Sequence, residues 1–296
     1  MLEARQAGGP PFHFVFGLRP QNEPFHLMHY LCLRSCRNVH PTSEIYFHYR
    51  NLPHGRWWDQ IAPELNLRQV DESTPGFNPT LYQNTSEGRF IDKAGLSYAH
   101  EADFIRLQAL LQYGGVYADM DTLFVRPYPS ALFQHDCVLG EEVPVPDPHT
   151  GILRPSLCNA LIMGHPGSPF LADWLELAKE AFDGTWSRHS CQAASLMWSH
   201  SPDRVHVAPW WWFHGFPATS QGLKNLFEEN APIPEGLCSI HLLAHLWWSP
   251  ERTDFSTFHA GLLNESYVRN AATTYARLAR QHMEPGPPEQ TPPASR

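Results

Sequence analysis

GGVYADMDTLF, residues 114–124, places two aspartates one residue apart at the end of an apolar run. Apolar runs are usually buried, and a buried carboxylate is costly unless it is paired or bound to a metal. If residues 116–121 are extended as a strand, Tyr117, Asp119 and Asp121 lie on one side of it. A hard divalent cation such as Mg²⁺ or Mn²⁺ suits such oxygen ligands and keeps positions open for phosphate oxygens. Because Asp-x-Asp pairs also arise by chance, the surrounding sequence must decide whether this pair serves a metal.

Outward from this stretch, the sequence alternates predicted strands and helices. Residues 96–113 carry Phe104, Leu107 and Leu111 at helical spacing, and the glycines that follow are typical of a helix C-terminus. Further strands are predicted at 11–17, 44–50, 67–71 and 160–164. Further helices are predicted within 23–41, ending before Pro41, and at 168–182. This alternation predicts an α/β fold with a mainly parallel sheet.

The remaining segments are predicted to form loops, a terminal helix and a tail. Residues 72–96 form a long predicted loop near the site, and residues 141–156, with four prolines, a surface loop. One continuous helix is expected over 262–283. Residues 284–296 are rich in proline and are expected to be disordered. We therefore expect a single domain over residues 1–283.

Composition excludes some classes of function. The formal net charge of -9 argues against a nucleic-acid binder, whose contact surface should be basic. No run approaches the roughly 18 apolar residues of a membrane span, and the first residues do not resemble a leader peptide. The 6 cysteines show no paired C-x-x-C pattern, which is typical of free thiols in a reducing compartment. These features predict a cytoplasmic globular protein without a transmembrane segment.

The segment YAHEADFIRLQALLQYGGVYADMDTLFVRP, residues 98–127, resembles the sugar-binding region of DxD glycosyltransferases, specifically the glycosyltransferase family 32-like group. That group is related to the clostridial-toxin glucosyltransferases and the α-1,4-galactosyltransferases. The matching positions are Ala99, Asp103, Arg106, Leu110, Gly114, Gly115, Tyr117, Asp119 and Asp121. A joint match over this length is far more specific than the aspartate pair alone.

The resemblance implies a GT-A fold, that is, a nucleotide-binding α/β sandwich with a mainly parallel central sheet and helical additions. It implies a nucleotide-sugar donor (a UDP- or GDP-sugar), a glycan, lipid or protein acceptor, and retention of the anomeric configuration. It also implies Mn²⁺ or Mg²⁺ on Asp119 and Asp121. SIHLLAHLWW, residues 239–248, resembles a C-terminal family segment whose histidine helps to hold the metal. His241 fits this role, with His245 as the alternative.

Weaker matches extend the implied donor site. PFHFVFG, residues 11–17, resembles the family's first strand and suggests Phe14 and Phe16 as donor-binding residues. Asn159 matches a polar family residue. Asp103 and Arg106 are expected to hydrogen-bond the donor sugar, with Arg106 also near the phosphates, and the predicted donor-binding set further includes Tyr117 and Asp119. The predicted acceptor residues are His189, Trp211 and Trp212.

Two other functions use some of the same features. A phosphohydrolase of the haloacid dehalogenase type also carries Asp-x-Asp after a strand, but it needs Thr two residues beyond the second aspartate, where this chain has Leu123. A non-catalytic carbohydrate-binding protein on a transferase fold would not need Asp103, Arg106 and the aspartate pair together. We therefore expect a metal-dependent glycosyltransferase.

Overall fold

A computed structural model describes residues 8–79, 97–146 and 153–284. The central sheet contains seven strands in the order β3-β2-β1-β4-β7-β6-β8, and two short strands, β5 and β9, pair separately. The strands are β1 (Phe12–Val15), β2 (Ile45–Tyr49), β3 (Asn66–Gln69), β4 (Gly115–Ala118), β5 (Thr122–Phe124), β6 (Cys137–Pro146), β7 (Leu153–Gly164), β8 (His206–Ala208) and β9 (Ser239–His241).

Most neighbouring strands of the central sheet are parallel. The pairs β1–β2, β2–β3, β1–β4 and β6–β8 run in parallel, while β7 runs antiparallel to both β4 and β6. Parallel strands need crossover connections, which helices supply here. The predicted α/β fold with a mainly parallel sheet is confirmed.

The helices cover both faces of this sheet. They are α1 (Leu27–Val39), α2 (Arg56–Ile61), α3 (Ser97–Tyr113), α4 (Pro169–Ala181), α5 (Ala193–His200), α6 (Trp210–Phe213), α7 (Ser220–Phe227), α8 (Glu265–Asn270) and α9 (Thr274–Ala279). One buried core packs α1, α7 and α9 against the sheet, and a second core packs α3 and α4 against it. On β1, Phe12 and Phe14 belong to the first core and Val15 to the second, as the alternation of a strand requires.

Two glycines make the change from helix to strand possible. Gly114 and Gly115 have φ of +66° and +100°, values that side chains with a Cβ rarely adopt. A Cβ on Gly115 would lie 2.2 Å from the carbonyl oxygen of Pro11, so the chain also needs glycine here for close packing. The turn places β4 beside β1 and directs its C-terminal end, with the two aspartates, to the edge where the parallel strands end.

Two predicted elements differ in the structure. Residues 141–156 were expected to form a loop, but β6 and β7 extend into this segment as an antiparallel hairpin. The pairing changes register between Glu142 and Val145, and a β-bulge of this kind accommodates proline within a sheet. The single helix expected over 262–283 is instead divided into α8 and α9, because the backbone of Ala271 is extended.

The remaining predictions about the ends of the chain and the long loop concern residues that are largely not described. Much of the predicted loop at 72–96, and all but the first residue of the predicted tail at 284–296, lie outside the described residues. None of the helices within 8–79, 97–146 and 153–284 is long and apolar enough to cross a bilayer.

Candidate active site

The Asp-x-Asp motif forms a turn rather than a continuous strand. β4 ends at Ala118, and the N–H of Thr122 donates to the carbonyl of Asp119 at 3.1 Å. The prediction that residues 116–121 are extended is therefore wrong at its C-terminal end. The turn itself, rather than the alternation of a strand, brings both carboxylates to one side.

Helix α1 holds this turn from below. The ring Nδ1 of His29 lies 3.1 Å from the carbonyl oxygen of Met120, to which it donates, and the Cys32 thiol lies 3.7 Å from the carbonyl of Asp119. Burial lowers the pKa of His29 to about 4, so its ring stays neutral. Sequence reasoning missed both contacts, because helical spacing alone explains Cys32 and no local motif marks His29.

His241 joins the two aspartates because β9 pairs with β5. Thr122 lies opposite His241 in this pair. The His241 Nε2 lies 3.4 Å from the Oδ1 of Asp121 and 3.8 Å from the Oδ2 of Asp119. The other Asp121 oxygen accepts a hydrogen bond from the backbone N–H of Ala244 at 2.7 Å. Two carboxylates and one imidazole thus converge at the end of the sheet.

This convergence fits a divalent cation. The three ligand atoms lie within 4.8 Å of one another. In an octahedral site with bonds of about 2.1 Å, adjacent ligand atoms are about 3.0 Å apart and opposite ones about 4.2 Å apart. The observed separations of 3.4 Å and 3.8 Å fall within this range. The carboxylates are hard oxygen ligands, and imidazole is compatible with Mn²⁺.

The charges of the three groups are strongly coupled. Burial raises the pKa of Asp119; the Arg106 guanidinium opposes this and Asp121 adds to it. Burial would also raise the pKa of Asp121, but His241 and the Ala244 N–H outweigh it and hold that pKa well below its usual range. His241 has a raised pKa because Asp121 outweighs burial. Because an imidazole must be neutral to bind a metal, a cation binding here would compete with a proton for His241.

Arg106 connects this cluster to helix α3. Its guanidinium lies 3.1 Å from a carboxylate oxygen of Asp103 and 3.2 Å from one of Asp119, and it donates to the carbonyl of Asn159 at 2.6 Å. The guanidinium also lies over the Tyr117 ring, 4.4 Å from its centroid. Arg106 is only 5% exposed, so it serves as the buried counter-charge for two acids that would otherwise repel.

Three further side chains orient the carboxylates. The Asn159 amide donates to Asp103 at 2.7 Å, and the His189 Nε2 lies 2.8 Å from the other Asp103 oxygen. The Tyr117 hydroxyl donates to Asp119 at 2.6 Å. The structure thus brings together Asp103, Arg106, Tyr117, Asp119 and Asn159, which were all predicted to lie at the donor site.

His189 was predicted to contact the acceptor, and the structure places it elsewhere. Its side chain has no exposed surface, and its ring stacks on Phe104 at 5.6 Å between centroids. A π-helical turn, Arg188–Gln192, carries it toward Asp103. His189 therefore positions Asp103 and is removed from the acceptor set.

The two aromatic residues predicted from β1 differ in position. Phe14 is fully buried and packs edge-on against Phe124, so it has no surface with which to contact a donor and is removed from the donor set. Phe16 is partly buried and lies 4.7 Å from the ring of His29, whose own contact is with the Asp-x-Asp turn. Phe16 stays a candidate for donor binding.

The tryptophans predicted to contact an acceptor lie on α6. Trp211 is 38% exposed, while Trp212 packs against the core and lies close to Gly236. Neither position tests acceptor binding, which stays a prediction for both.

The choice between the two histidines favours His241. Among the described residues, the cluster that can hold a metal beside the aspartates contains His241 and not His245. The His245 ring instead packs 5.9 Å from Trp186, and its carbonyl accepts from Arg252 at 2.6 Å.

Residues 28–139 match the family described as "Glycosyltransferase sugar-binding region containing DXD motif". This part of the chain is similar to the sugar-binding region of the DXD glycosyltransferases. The matched segment includes α3, β4 and both aspartates, so the family resemblance inferred from residues 98–127 is confirmed. A match to this family also argues against the haloacid dehalogenase alternative.

The chain has a curated fungal relative. Over 207 residues the chain is 36% identical to glucan organizing enzyme 1 of Cryptococcus neoformans var. grubii serotype A, an overlap of 66% of this chain and 50% of that protein. The chain thus spans about half the length of this relative.

Solved structures show a more distant likeness. Galactosyltransferase LgtC, solved with donor and acceptor sugar analogues, is 17% identical with a TM-score of 0.47, over 94% of this chain and 98% of that one. The PaToxG glycosyltransferase is 15% identical with a TM-score of 0.42, over 65% of this chain and 70% of that one.

Proposed function

We propose that this chain is a metal-dependent glycosyltransferase that moves a sugar from a nucleotide-sugar donor to an acceptor. The observation that carries the proposal is that Asp119 and Asp121, both within the matched DXD segment, meet His241 at the end of the sheet. Arg106 lies next to them as a buried cation. A diphosphate needs positive charge nearby, and on this acidic protein Arg106 and a cation held by the cluster would supply it.

The metal would be Mn²⁺ or Mg²⁺ held by Asp119, Asp121 and His241. When bound, it would stabilise the negative charge that develops on the departing nucleotide diphosphate. The oxygen-rich ligand set favours such a hard cation.

The chain's own residues would hold and orient the donor sugar. Asp103 is fixed from both oxygens, by Asn159 and His189, and its side chain retains 12% exposure. A carboxylate fixed in this way can accept hydrogen bonds from sugar hydroxyls without reorganising. Arg106 keeps Asp103 and Asp119 ionised side by side, because its positive charge offsets their mutual repulsion.

Donor and acceptor are proposed at the level of chemical class. The donor is a UDP- or GDP-sugar, and the acceptor is a glycan, lipid or protein. The family resemblance supports transfer with retention. The name of the fungal relative, glucan organizing enzyme 1, supports a role in polysaccharide biosynthesis with a glucan as the first acceptor to try. A cytoplasmic location stays a prediction of the sequence.

Nucleotide-sugar turnover tests this proposal. UDP- and GDP-sugars are incubated with the full chain and Mn²⁺, with and without glucan oligosaccharides, and nucleotide release is measured. Asp121→Asn should lower turnover by about 100-fold or more, since it removes a metal ligand. Asp173→Asn is the matched control, because Asp173 forms an exposed ion pair with Arg204. Equal turnover in the two variants would remove the site assignment.

The same preparation separates the alternatives. Hydrolysis of phosphate monoesters without a nucleotide sugar would instead indicate a phosphohydrolase. Glycan binding that is independent of metal and nucleotide, with no turnover, would indicate a carbohydrate-binding protein.

A further inference from the structure

A second group of metal-binding side chains lies beside the Asp-x-Asp turn. It consists of Cys158, His214 and His241, and one ligand atom from each lies within 4.8 Å of the others. His241 belongs to both groups. Unlike the first group, this one offers sulfur and nitrogen ligands and no carboxylate.

The fold builds this group from three separate elements. Cys158 lies on β7 opposite Gly140 of β6, His214 directly follows α6, and His241 lies on β9. A Cβ on Gly140 would lie 2.6 Å from the Nε2 of His214. Glycine at this position therefore leaves the space into which the imidazole fits.

His214 points to a missing ligand. The residue is only 7% exposed, and neither ring nitrogen has a hydrogen-bond partner in the protein. A neutral imidazole carries one N–H donor and one lone pair, and buried polar atoms without partners are rare in folded proteins. Its ring centroid lies 6.1 Å from that of His241, on the side where the Cys158 thiol completes the group.

We propose that Cys158, His214 and His241 form a second cation site, which takes a thiophilic divalent ion such as Zn²⁺. Thiolate and imidazole are the ligands that Zn²⁺ prefers, whereas Mn²⁺ and Mg²⁺ prefer oxygen. Tetrahedral zinc separates such ligand atoms by about 3.3–3.6 Å. Because the atoms of this group lie within 4.8 Å of one another, a contraction of at most about 1.2–1.5 Å closes it. On binding, the Cys158 thiol releases its proton to solvent and the sulfur bonds the metal. A water fills the fourth position.

Because His241 belongs to both groups, zinc at this site competes with the cation on Asp119 and Asp121. Zinc would then act as an inhibitor that withdraws one ligand from the donor site. This competition rests on the proposed function, whereas zinc binding by Cys158 and His214 does not.

Cobalt substitution tests the site directly. The full chain is freed of metal with a chelator and titrated with Co²⁺, and the thiolate-to-cobalt absorption band in the near ultraviolet is followed. Zn²⁺ should abolish the band by displacement. Cys158→Ser should remove the band, and His214→Gln should weaken Co²⁺ binding by about tenfold or more. Cys137→Ser is the matched control, because Cys137 is also a buried free cysteine, on the paired strand β6.

The outcomes separate this inference from the proposed function. A wild-type chain without the band, a band that persists in Cys158→Ser, or an equal loss in Cys137→Ser would overturn the second site. Asp121→Asn should keep the band while losing Mn²⁺ binding, measured by the electron paramagnetic resonance of free Mn²⁺. Mn²⁺ binding that is unchanged in zinc-loaded protein would overturn the sharing of His241. A chain that shows the band but no transferase activity would retain the zinc site and lose the proposed function.

Discussion

Arg106→Met tests the buried charge network most sharply. Methionine keeps most of the stem that packs over Tyr117 but removes the cation between Asp103 and Asp119. It also leaves the carbonyl of Asn159 without its donor. Two partly buried carboxylates then lie close together without the guanidinium between them.

The cost follows from the burial of the pair. Removing one partner of a buried ion pair destabilises a protein by about 3–5 kcal/mol, because the remaining charge stays desolvated. For a domain of this size, each 1 kcal/mol lowers the melting temperature by roughly 2–4 °C, so a fall of roughly 6–20 °C is expected. Part of this loss is relieved by protonation. Burial raises the pKa of Asp103, but Arg106 and His189 together outweigh it, and Arg106 also opposes the raised pKa of Asp119. Both pKa values therefore rise in the variant.

The assay is thermal unfolding at two pH values with two control variants. The destabilisation should be larger near about pH 8, where both acids are ionised, than near about pH 5. Arg106→Lys keeps the charge but not the fork of donors, so it should cost less. Arg204→Ala removes an exposed pair with Asp173 and should cost about 0–1 kcal/mol.

Mn²⁺ provides a further check on the network. A cation on Asp119 should restore part of the stability lost in Arg106→Met, because it supplies positive charge next to the same carboxylate. If Arg106→Met and Arg204→Ala have the same melting temperature at both pH values, the Arg106 guanidinium is not the counter-charge of Asp103 and Asp119.

Two further predictions concern the fold. Burial lowers the pKa of His13 to about 4 and that of His48 to about 3. The two neutral rings contribute fully to the free energy of unfolding above the ordinary histidine pKa of about 6.5. This contribution is lost as the pH falls toward the lowered pKa values, by up to about 1.4 kcal/mol per pH unit for each ring. Urea unfolding across this range should show the decline, and a flat profile would contradict it. Gly115→Ala should lower the free energy of unfolding by more than about 2 kcal/mol, because the new Cβ would strike the Pro11 carbonyl. Gly167 also has a positive φ, but a Cβ there would have no atom within 4 Å, so Gly167→Ala should cost about 1 kcal/mol. Equal losses in the two variants would show that the contact with Pro11 is unimportant.

Local patterns were sufficient to predict the core of the fold. The apolar spacing of Phe104, Leu107 and Leu111 and the glycines after Tyr113 define α3 and its end, and the structure places that helix at Ser97–Tyr113. The strands on either side follow from runs of apolar and aromatic residues. These patterns depend only on residues that are close along the chain, so they can be recognised without knowledge of tertiary contacts.

Local sequence patterns do not predict the contacts between distant segments that complete the site, and only the family resemblance indicated His241. His241 reaches the aspartates only because β9 pairs with β5, and periodicity does not predict that pairing. His189 reaches Asp103 through a π-helical turn. The prolines of 141–156 indicated a loop. The irregularity between Glu142 and Val145, which contains Pro144, has no local signature in the sequence.

Calorimetric titration of UDP and GDP into the full chain, with and without Mn²⁺, tests whether a cation on Asp119, Asp121 and His241 binds the nucleotide diphosphate. We expect the nucleotide diphosphate to bind only with Mn²⁺, and His241→Gln to weaken this binding by about tenfold or more. His245→Gln should bind as the unaltered chain does, because His245 lies outside the metal-binding cluster of the described residues. Nucleotide binding that needs no metal, or a loss of binding confined to His245→Gln, would contradict a metal site on Asp119, Asp121 and His241.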